Sequence, residues 1–489
     1  MRTDSRFYSW ALLAILLLQF SLHLYIGTKI FFQDEQTYLS EADWVLKGLI
    51  PHRDFFLERP PGFIFFVFGI FLVLGKSMFA ARMAMALVCM ATTACVYLMG
   101  KKLFSPRTGL LAAALFAFTG PAYISFMVLS DSLIALFLAL GFTVLIYNEG
   151  LDSKMIFLSG FILGANLTLR QSSIPMIFLA AFLLWRQCRS DARNRTAANL
   201  AVFFSGAILP CLLMVLLYVA LGNLNELVYN SLFYSKGYLF SQMIDPFREN
   251  PLHYATIVST WLFIPISFLL LFLFGRIANE QKTLFLAIMV ISALPNVFPN
   301  FVANHLLPSN VGVSILAASI ITESIKKKDL LPIAFVVFVV FMSATKLVLA
   351  GYMMFVSAPS TNLFGIPESV FLDSAGYINS HTSSEEKFLS FMHFPIYYLA
   401  DRLPDSYFHY VDFFCSDETI EERIVSDLEK KGTKYVVLFR TDVSKVDRHT
   451  NIGFFCKGKL STYLSENYHP EKVFLDQETK DSAVILRRN

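Results

Sequence analysis

Apolar residues run along this chain in stretches too long for the core-facing stripe of a soluble helix and too continuous for a half-buried strand. A helix needs about 17–25 mostly apolar residues to cross a bilayer. Runs of that order recur near 8–29, 79–100, 107–128, 131–148, 198–221, 254–275, 283–298, 303–324 and 330–356. Two shorter runs, 154–170 and 172–186, read as a hairpin and bring the expected spans to about eleven. Residues 61–75 are as apolar but only about 15 long, which favours a helix lying along the membrane over one crossing it. The stretch 36–48 mixes Tyr38, Leu39, Ala42, Trp44, Val45 and Leu46 with polar residues, the pattern of a helix at the membrane interface.

Positive charge orients these segments. Arg2 and Arg6 precede the first run, no small-residue cleavage site follows it, and many further spans do, so it reads as a span and not as a removable signal. With 61–75 laid along the membrane, Lys101-Lys102 and Arg107, Arg186 to Arg195, Arg276 to Lys282, and Lys326-Lys327-Lys328 all fall inside. The turn after the first span, carrying Asp34-Glu35, then falls outside.

Composition agrees with that pattern. The chain is 55% hydrophobic and 16% charged, against about 25% charged in soluble domains. Its net charge of +3 hides an asymmetry. From residue 366 onward 15 Lys/Arg face 20 Asp/Glu, and the excess of positive charge lies entirely before that point. The tail alternates a helical pattern with a glycine stop (Glu418 to Gly432) and β-rich pieces (Lys434 to Phe439, Ala483 to Leu486). The expected fold is therefore a polytopic α-helical membrane protein, residues 1–356, followed by a small extracytoplasmic α/β domain, residues 366–489. Cys89, Cys95, Cys211 and Cys188 fall in or beside spans and read as small, inert side chains. Cys415 and Cys456 are the two cysteines of the external domain and are the candidate pair in an oxidising compartment, although no spacing rule demands it.

The few polar residues near span ends carry the candidate chemistry. On the orientation above, Asp34, Glu35, Glu58, Arg59, Asp131, Arg170-Gln171 and His305 all come out on the external face. Such residues are costly at a membrane boundary and commonly line one cavity or pair with each other. The external loop 222–252, with Lys236, Asp245, Arg248 and Glu249, is long enough to act as a lid. A carboxylate in such a place can take the proton of an acceptor hydroxyl, and an arginine fork matches phosphate oxygens. Each residue also has a plainer reading. Asp34-Glu35 suits a solvated span end, Glu58-Arg59 a local ion pair, Asp131 a helix N-cap, His305 a satisfied boundary histidine, and Arg170-Gln171 a topological anchor. No glycine-rich phosphate loop follows a strand and no metal spacing of His and Cys occurs, which disfavours a nucleotide-binding enzyme.

The order of these elements resembles the GT-C superfamily of polyprenyl-phosphate-sugar glycosyltransferases, in particular the branch with protein O-mannosyltransferases and lipid A aminoarabinose transferases. The matching elements are Asp34-Glu35-Gln-Thr-Tyr38, Glu58-Arg59-Pro60-Pro61, Ser130-Asp131 opening a later span, and Asn304-His305-Leu306-Leu307-Pro308 at the outer end of a late one. The likeness covers most of the membrane part, and the tail is similar to the external domain of some prokaryotic members. Arg59 stands where Lys or His is common, and Leu306 stands where Tyr follows, which leaves donor and acceptor open. The resemblance implies Asp34 as the base, Glu35 and Asp131 as catalytic positioning groups, Arg59 and His305 on the donor phosphate, and Tyr38 and Glu58 on substrate. It implies inverting transfer of one sugar from a polyprenyl-phosphate donor to a lipid, cell-envelope glycan or protein acceptor, with no cofactor, no nucleic acid, and a prokaryotic plasma-membrane location with an extracytoplasmic site. No extended oligosaccharyltransferase motif is present. A transporter or flippase of a lipid-linked glycan is the alternative, expected to show midplane charges, broken helices and repeated halves; a membrane scaffold with a partner-binding tail is a third.

Overall fold

Two helices of this chain begin where a small polar residue caps an apolar run. Ser105 caps the helix that starts at Pro106, its hydroxyl accepting from Thr108 N at 3.2 Å. Asp152 caps the next such start, accepting from Lys154 N at 2.9 Å. These side chains satisfy backbone donors that a helix end leaves open. The computed structural model describes residues 5–27, 33–123, 125–189, 195–234, 280–297, 303–328, 368–391, 396–409, 418–440, 458–475 and 482–489. The expected spans at 254–275 and 330–356, most of the loop 222–252, and Cys415 and Cys456 lie outside the described residues.

The chain divides into two compact units. The first comprises Met1–Gly27, Glu58–Phe63 and Arg82–Ala350, and the second Thr28–Leu57, Ile64–Ala81 and Gly351–Asn489. Among the described residues five helices are long and apolar enough to cross a membrane: Arg6–Gly27, Met78–Leu103, Ser130–Tyr147, Thr196–Ala220 and Asn304–Lys327. We label the helices α1 (Ser5–Gly27), α2 (Gln33–Leu46), α3 (Gly62–Leu74), α4 (Met78–Leu103), α5 (Pro106–Thr119), α6 (Ser130–Tyr147), α7 (Ser153–Leu169), α8 (Ile174–Arg189), α9 (Thr196–Ala220), α10 (Leu224–Val228), α11 (Glu280–Ala293) and α12 (Leu307–Lys327). At 13 residues, α3 rises only about 20 Å, short of the roughly 30 Å hydrocarbon core.

The first unit is a helix bundle whose two ends differ in charge. At one end Arg107 Nε donates to Tyr8 Oη at 3.4 Å, Lys102 pairs with Glu149 at 2.5 Å, and Thr108 and Thr322 hydroxyls meet at 3.1 Å. The same end carries Lys101, Lys326 and Lys327 in the last turns of α4 and α12. Asp131, Arg170 and His305 stand at the other termini of α6, α7 and α12. The closest helix pair, α7 with α9, is built on glycine. A Cβ on Gly160 would come within 2.1 Å of Phe203 O, one on Gly164 within 2.1 Å of Ala207 O, and one on Gly206 within 2.3 Å of Phe157 O. Gly160 and Gly164 form the small-xxx-small pattern that lets membrane helices touch backbone to backbone.

In the second unit four strands form one sheet, β1 (Leu389–Phe391), β2 (Tyr435–Arg440), β3 (Tyr468–Leu475) and β4 (Ser482–Arg488), in the order β1-β2-β4-β3. β1 and β2 are parallel, and β2–β4 and β4–β3 antiparallel. Among the described residues of the tail, α13 (Glu368–His381), α14 (Ile396–Ala400), α15 (Glu418–Lys431) and α16 (Lys459–Asn467) accompany it. The sequence-level helix at 418–432 and the strands at 434–439 and 483–486 coincide with α15, β2 and β4. The core of this unit joins Phe371, Ile378, Phe388, Tyr397, Val437, Phe439 and Ile485 to Trp44 and Phe55 of the first loop. Trp44 sits edge-on to Phe55, Tyr397 and His409, with ring centroids 5.2, 5.4 and 4.6 Å away. Packing thus groups the first loop with the tail, whereas composition draws its boundary near residue 360.

Candidate active site

Asp131 begins the first unit's site. The residue before α6 is Leu129, which offers no side-chain cap. The Asp131 carboxylate is used elsewhere, so the N-cap reading of Asp131 does not describe it. Its Oδ2 accepts from Asn304 Nδ2 at 2.9 Å. Its Oδ1 lies 2.9 Å from His305 Nδ1 and 3.2 Å from Arg170 Nη1. His305 Nδ1 and Arg170 Nη1 are themselves 2.9 Å apart. Two donors converging on one carboxylate oxygen is the assignment that satisfies all three groups, with Nδ1–H and a guanidinium N–H both donating to Oδ1.

The termini that bring these groups together are specified locally. Asp131 is the second residue of α6, Arg170 follows the last turn of α7, and Asn304-His305 form the single 3-10 turn that leads into α12. Pro60-Pro61 stops extension of any preceding helix, and Gly62 then passes so close to the end of α7 that a Cβ would lie 2.4 Å from Thr168 O. Only glycine fits there. That approach brings the Glu58-Arg59 segment to the same end of the bundle as Arg170. Arg59 Nη2 pairs with Glu58 Oε1 at 2.7 Å, as the ion-pair reading expects, and the Arg59 charge also acts on the His305 imidazole.

Exposure separates the roles available to these groups. The Asp131 side chain is 2% exposed, while Arg170, His305 and Arg59 keep 16%, 14% and 19%. The carboxylate is a buried base plate, and Arg170, Arg59 and the His305 ring form its accessible lip. A buried carboxylate is tolerated when paired and hydrogen-bonded in this way. Several residues in the cluster or adjacent to it in sequence carry a buried polar atom without a hydrogen-bond partner among the described residues: Glu58 Oε2, Ser130 Oγ, Gln171 Oε1 and Asn304 Oδ1. Unsatisfied buried polar atoms are exceptional in folded proteins.

Asp34, Glu35 and Tyr38 lie on α2 in the second unit. α2 is buried on nearly every side: Glu35, Gln36, Glu41 and Trp44 are fully covered, and Thr37, Tyr38, Ser40 and Asp43 nearly so. An interfacial helix would keep its polar face wet, and this one has it enclosed by protein. Asp43 pairs with Lys47 and with Lys76 at 2.9 Å each; both lysines also pair with Asp401 of the tail, Lys47 at 2.8 Å. Burial pushes the Tyr398 phenol up to about 12, and the charges of Asp43 and Glu35 add to the shift. At neutral pH it is a fixed hydroxyl donor in the field of those carboxylates.

The sequence pattern places Arg170 among the external polar residues, with anchoring as its plainer reading, and gives Asn304 only as the neighbour of His305. Both are direct partners of Asp131. The available signal for Arg170 is its place on the same face as the other polar termini. Asn304 carries no signal beyond its neighbour His305. Among the described residues no group of three or more His, Cys, Asp or Glu side chains gathers in a metal-binding arrangement.

Residues 58–218 match the family model described as dolichyl-phosphate-mannose-protein mannosyltransferase. No curated protein matches the sequence. Among solved structures, apo ArnT from Cupriavidus metallidurans is similar with a TM-score of 0.57 at 10% identity, covering 98% of each chain. ArnT bound to undecaprenyl phosphate gives 0.54 at 12% identity, over 99% of this chain and 98% of that one. The archaeal oligosaccharyltransferase AglB from Archaeoglobus fulgidus, in complex with an inhibitory peptide and a dolichol-phosphate, gives 0.54 at 11% identity, over 98% of this chain and 74% of that one. At these identities the likeness is one of fold.

Proposed function

Taking the chain as a polytopic membrane protein of the GT-C fold, we propose that it is a glycosyltransferase that moves one sugar from a polyprenyl-phosphate donor to an acceptor hydroxyl. The observation that carries this reading is the Asp131–Arg170–His305–Asn304 cluster with Glu58-Arg59 at the same end of the bundle. Its cationic lip suits a phosphate that must also be released as a leaving group. The ligands of the similar structures, undecaprenyl phosphate and dolichol-phosphate, are of that chemical class. The basic patches at the opposite end favour that end as cytoplasmic, which makes the site and the α/β domain extracytoplasmic, in a prokaryotic plasma membrane.

The chemistry follows from the residue types. Asp34 accepts the proton of the acceptor hydroxyl. The oxygen attacks the anomeric carbon, the carbon–oxygen bond to phosphate breaks, and polyprenyl phosphate leaves with the bonding electron pair. One displacement inverts the anomeric centre. Arg59 and Arg170 stabilise the charge that develops on the leaving phosphate, where fixed cations act with most effect. His305 contributes its ring to the same lip. Glu35 and Tyr38 orient the acceptor, and Glu58 orients Arg59. Asp131, buried and fully engaged, is a positioning residue for Arg170 and His305.

The test is transfer by the purified full-length protein from a panel of polyprenyl-phosphate sugars to a membrane-glycan extract, read by mass spectrometry. Wild type transfers a sugar, and Asp34→Asn loses transfer while keeping its melting temperature. Arg59→Ala raises the KM for donor more than that for acceptor. Equal transfer by wild type and Asp34→Asn would remove Asp34 from its role. Solute flux without transfer would favour the transporter alternative.

A further inference from the structure

His23 lies on α1, inside the first span, and no step of the proposed transfer uses it. The side chain is 3% exposed. Its Nδ1 is 2.8 Å from Gln19 O, a carbonyl that can only accept, so Nδ1 carries the proton. The neutral ring then accepts at Nε2, where Ser125 Oγ sits 2.9 Å away as the donor. Ser125 belongs to the segment before α6; that segment ends at Leu129, two residues short of Asp131. Its carbonyl accepts from Ser132 Oγ at 3.4 Å and from Cys89 Sγ at 3.3 Å. Ser132 is the residue after Asp131 in the first turn of α6. A hydrogen-bonded path therefore runs from α1 through His23 and Ser125 to the backbone that carries the Asp131 carboxylate.

A second tie acts on the same segment. Arg82, 6% exposed on α4, donates through Nη1 to Gly27 O at the end of α1, and its Nη2 lies 3.7 Å from Met127 Sδ. Non-helical backbone at membrane depth persists only where protein groups satisfy it. A buried imidazole is an expensive way to fill space there, and what it supplies over an apolar side chain is direction.

Resting on the assignment of Asp131 to the transfer site, we propose that His23 is a positioning residue of that site. Through Ser125 it fixes the 125–130 segment and so the placement of Asp131, Arg170 and His305 that receives the donor phosphate. Loss of His23 then weakens phosphate-lipid binding through Ser125 and through nothing else.

The experiment measures undecaprenyl phosphate binding to the full-length protein in nanodiscs by native mass spectrometry, with melting temperature recorded for each variant. Arg170→Ala should weaken binding by more than about 10-fold, as loss of a charge-assisted phosphate contact does. His23→Ala and Ser125→Ala should each weaken it several-fold, the double variant should be no weaker than either single one, and His23→Gln, which keeps an acceptor for the serine, should recover most of the loss. If Arg170→Ala weakens binding but His23→Ala does not, or if the two single losses multiply, the His23 proposal is overturned and the site reading stands. If wild type and Arg170→Ala bind alike, the site reading fails and the proposal falls with it. Should His23→Ala not fold, Ser125→Ala, which removes a single oxygen, and His23→Gln carry the same comparison.

Discussion

Asp131 carries the electrostatic balance of the first unit's site. One carboxylate holds an arginine, a histidine and an asparagine, and two of these are cationic or can be. Breaking a buried pair by removing one partner typically costs about 3–5 kcal/mol, because the other charge is left uncompensated. The partial exposure of Arg170 and His305 reduces that for this cluster, so Asp131→Asn should fold while its two partners lose their fixed positions. The expected result is a donor KM raised about 10-fold or more, with acceptor KM and the pH dependence of kcat little changed. Steady-state kinetics over a pH series check this. If kcat alone collapsed and the acidic limb of the profile vanished, Asp131 would be the proton acceptor itself, contrary to its burial.

At the scale of elements, Arg170 follows the last turn of α7, and the close contact of α7 with α9 depends on glycines that cannot take a methyl group. Gly164→Ala places a Cβ within 2.1 Å of Ala207 O, a backbone atom that moves only if the helix moves. Overpacking of this kind costs about 1–3 kcal/mol. Gly69, on α3, has nothing within 4 Å of the place a methyl group would take, and Gly69→Ala should be neutral or stabilise by about 0.5–1 kcal/mol. Thermal unfolding in detergent of the two variants side by side should show a lowered midpoint for the first and an unchanged or raised one for the second. Much of this level is legible in the sequence. The apolar runs mark out α1, α4, α6, α9 and α12, the Gly-x-x-x-Gly spacing sits in plain view in α7, and Glu58-Arg59, Asp131 and His305, all singled out in the sequence, stand at one end of the first unit. What is not legible depends on tertiary pairing. Arg170 at a helix end looks the same whether it anchors the helix in water or completes a buried carboxylate's shell. The covering of α2 is likewise hidden, because Trp44 packs against Tyr397 and His409, and Lys47 and Lys76, the partners of Asp43, also pair with Asp401, which no local period reveals.

For the molecule as a whole, the consequence concerns the tail. Its acidic composition and its helix–strand alternation describe a separable domain, yet its core includes Trp44 and Phe55. The same loop is stitched to it in two further ways. Phe56 N donates to Tyr407 O at 2.8 Å and Tyr407 Oη to His52 O at 3.0 Å, and Asp401 pairs with Lys47 and Lys76. Truncating a buried aromatic costs about 3–5 kcal/mol, so removing two from one core costs on the order of 6–10 kcal/mol. Domains of this size have about 5–15 kcal/mol in total. Residues 358–489 produced alone should therefore lack fixed packing, with far-UV circular dichroism retained and near-UV signal and dispersed amide resonances lost. Joining residues 33–57 to the same fragment through a flexible linker should restore both, and Trp44→Ala in the joined protein should abolish the gain. If the fragment alone gave a cooperative melt and dispersed resonances, the aromatics of the first loop would be ornaments on a self-sufficient domain, and α2 would owe its position to the membrane part of the chain.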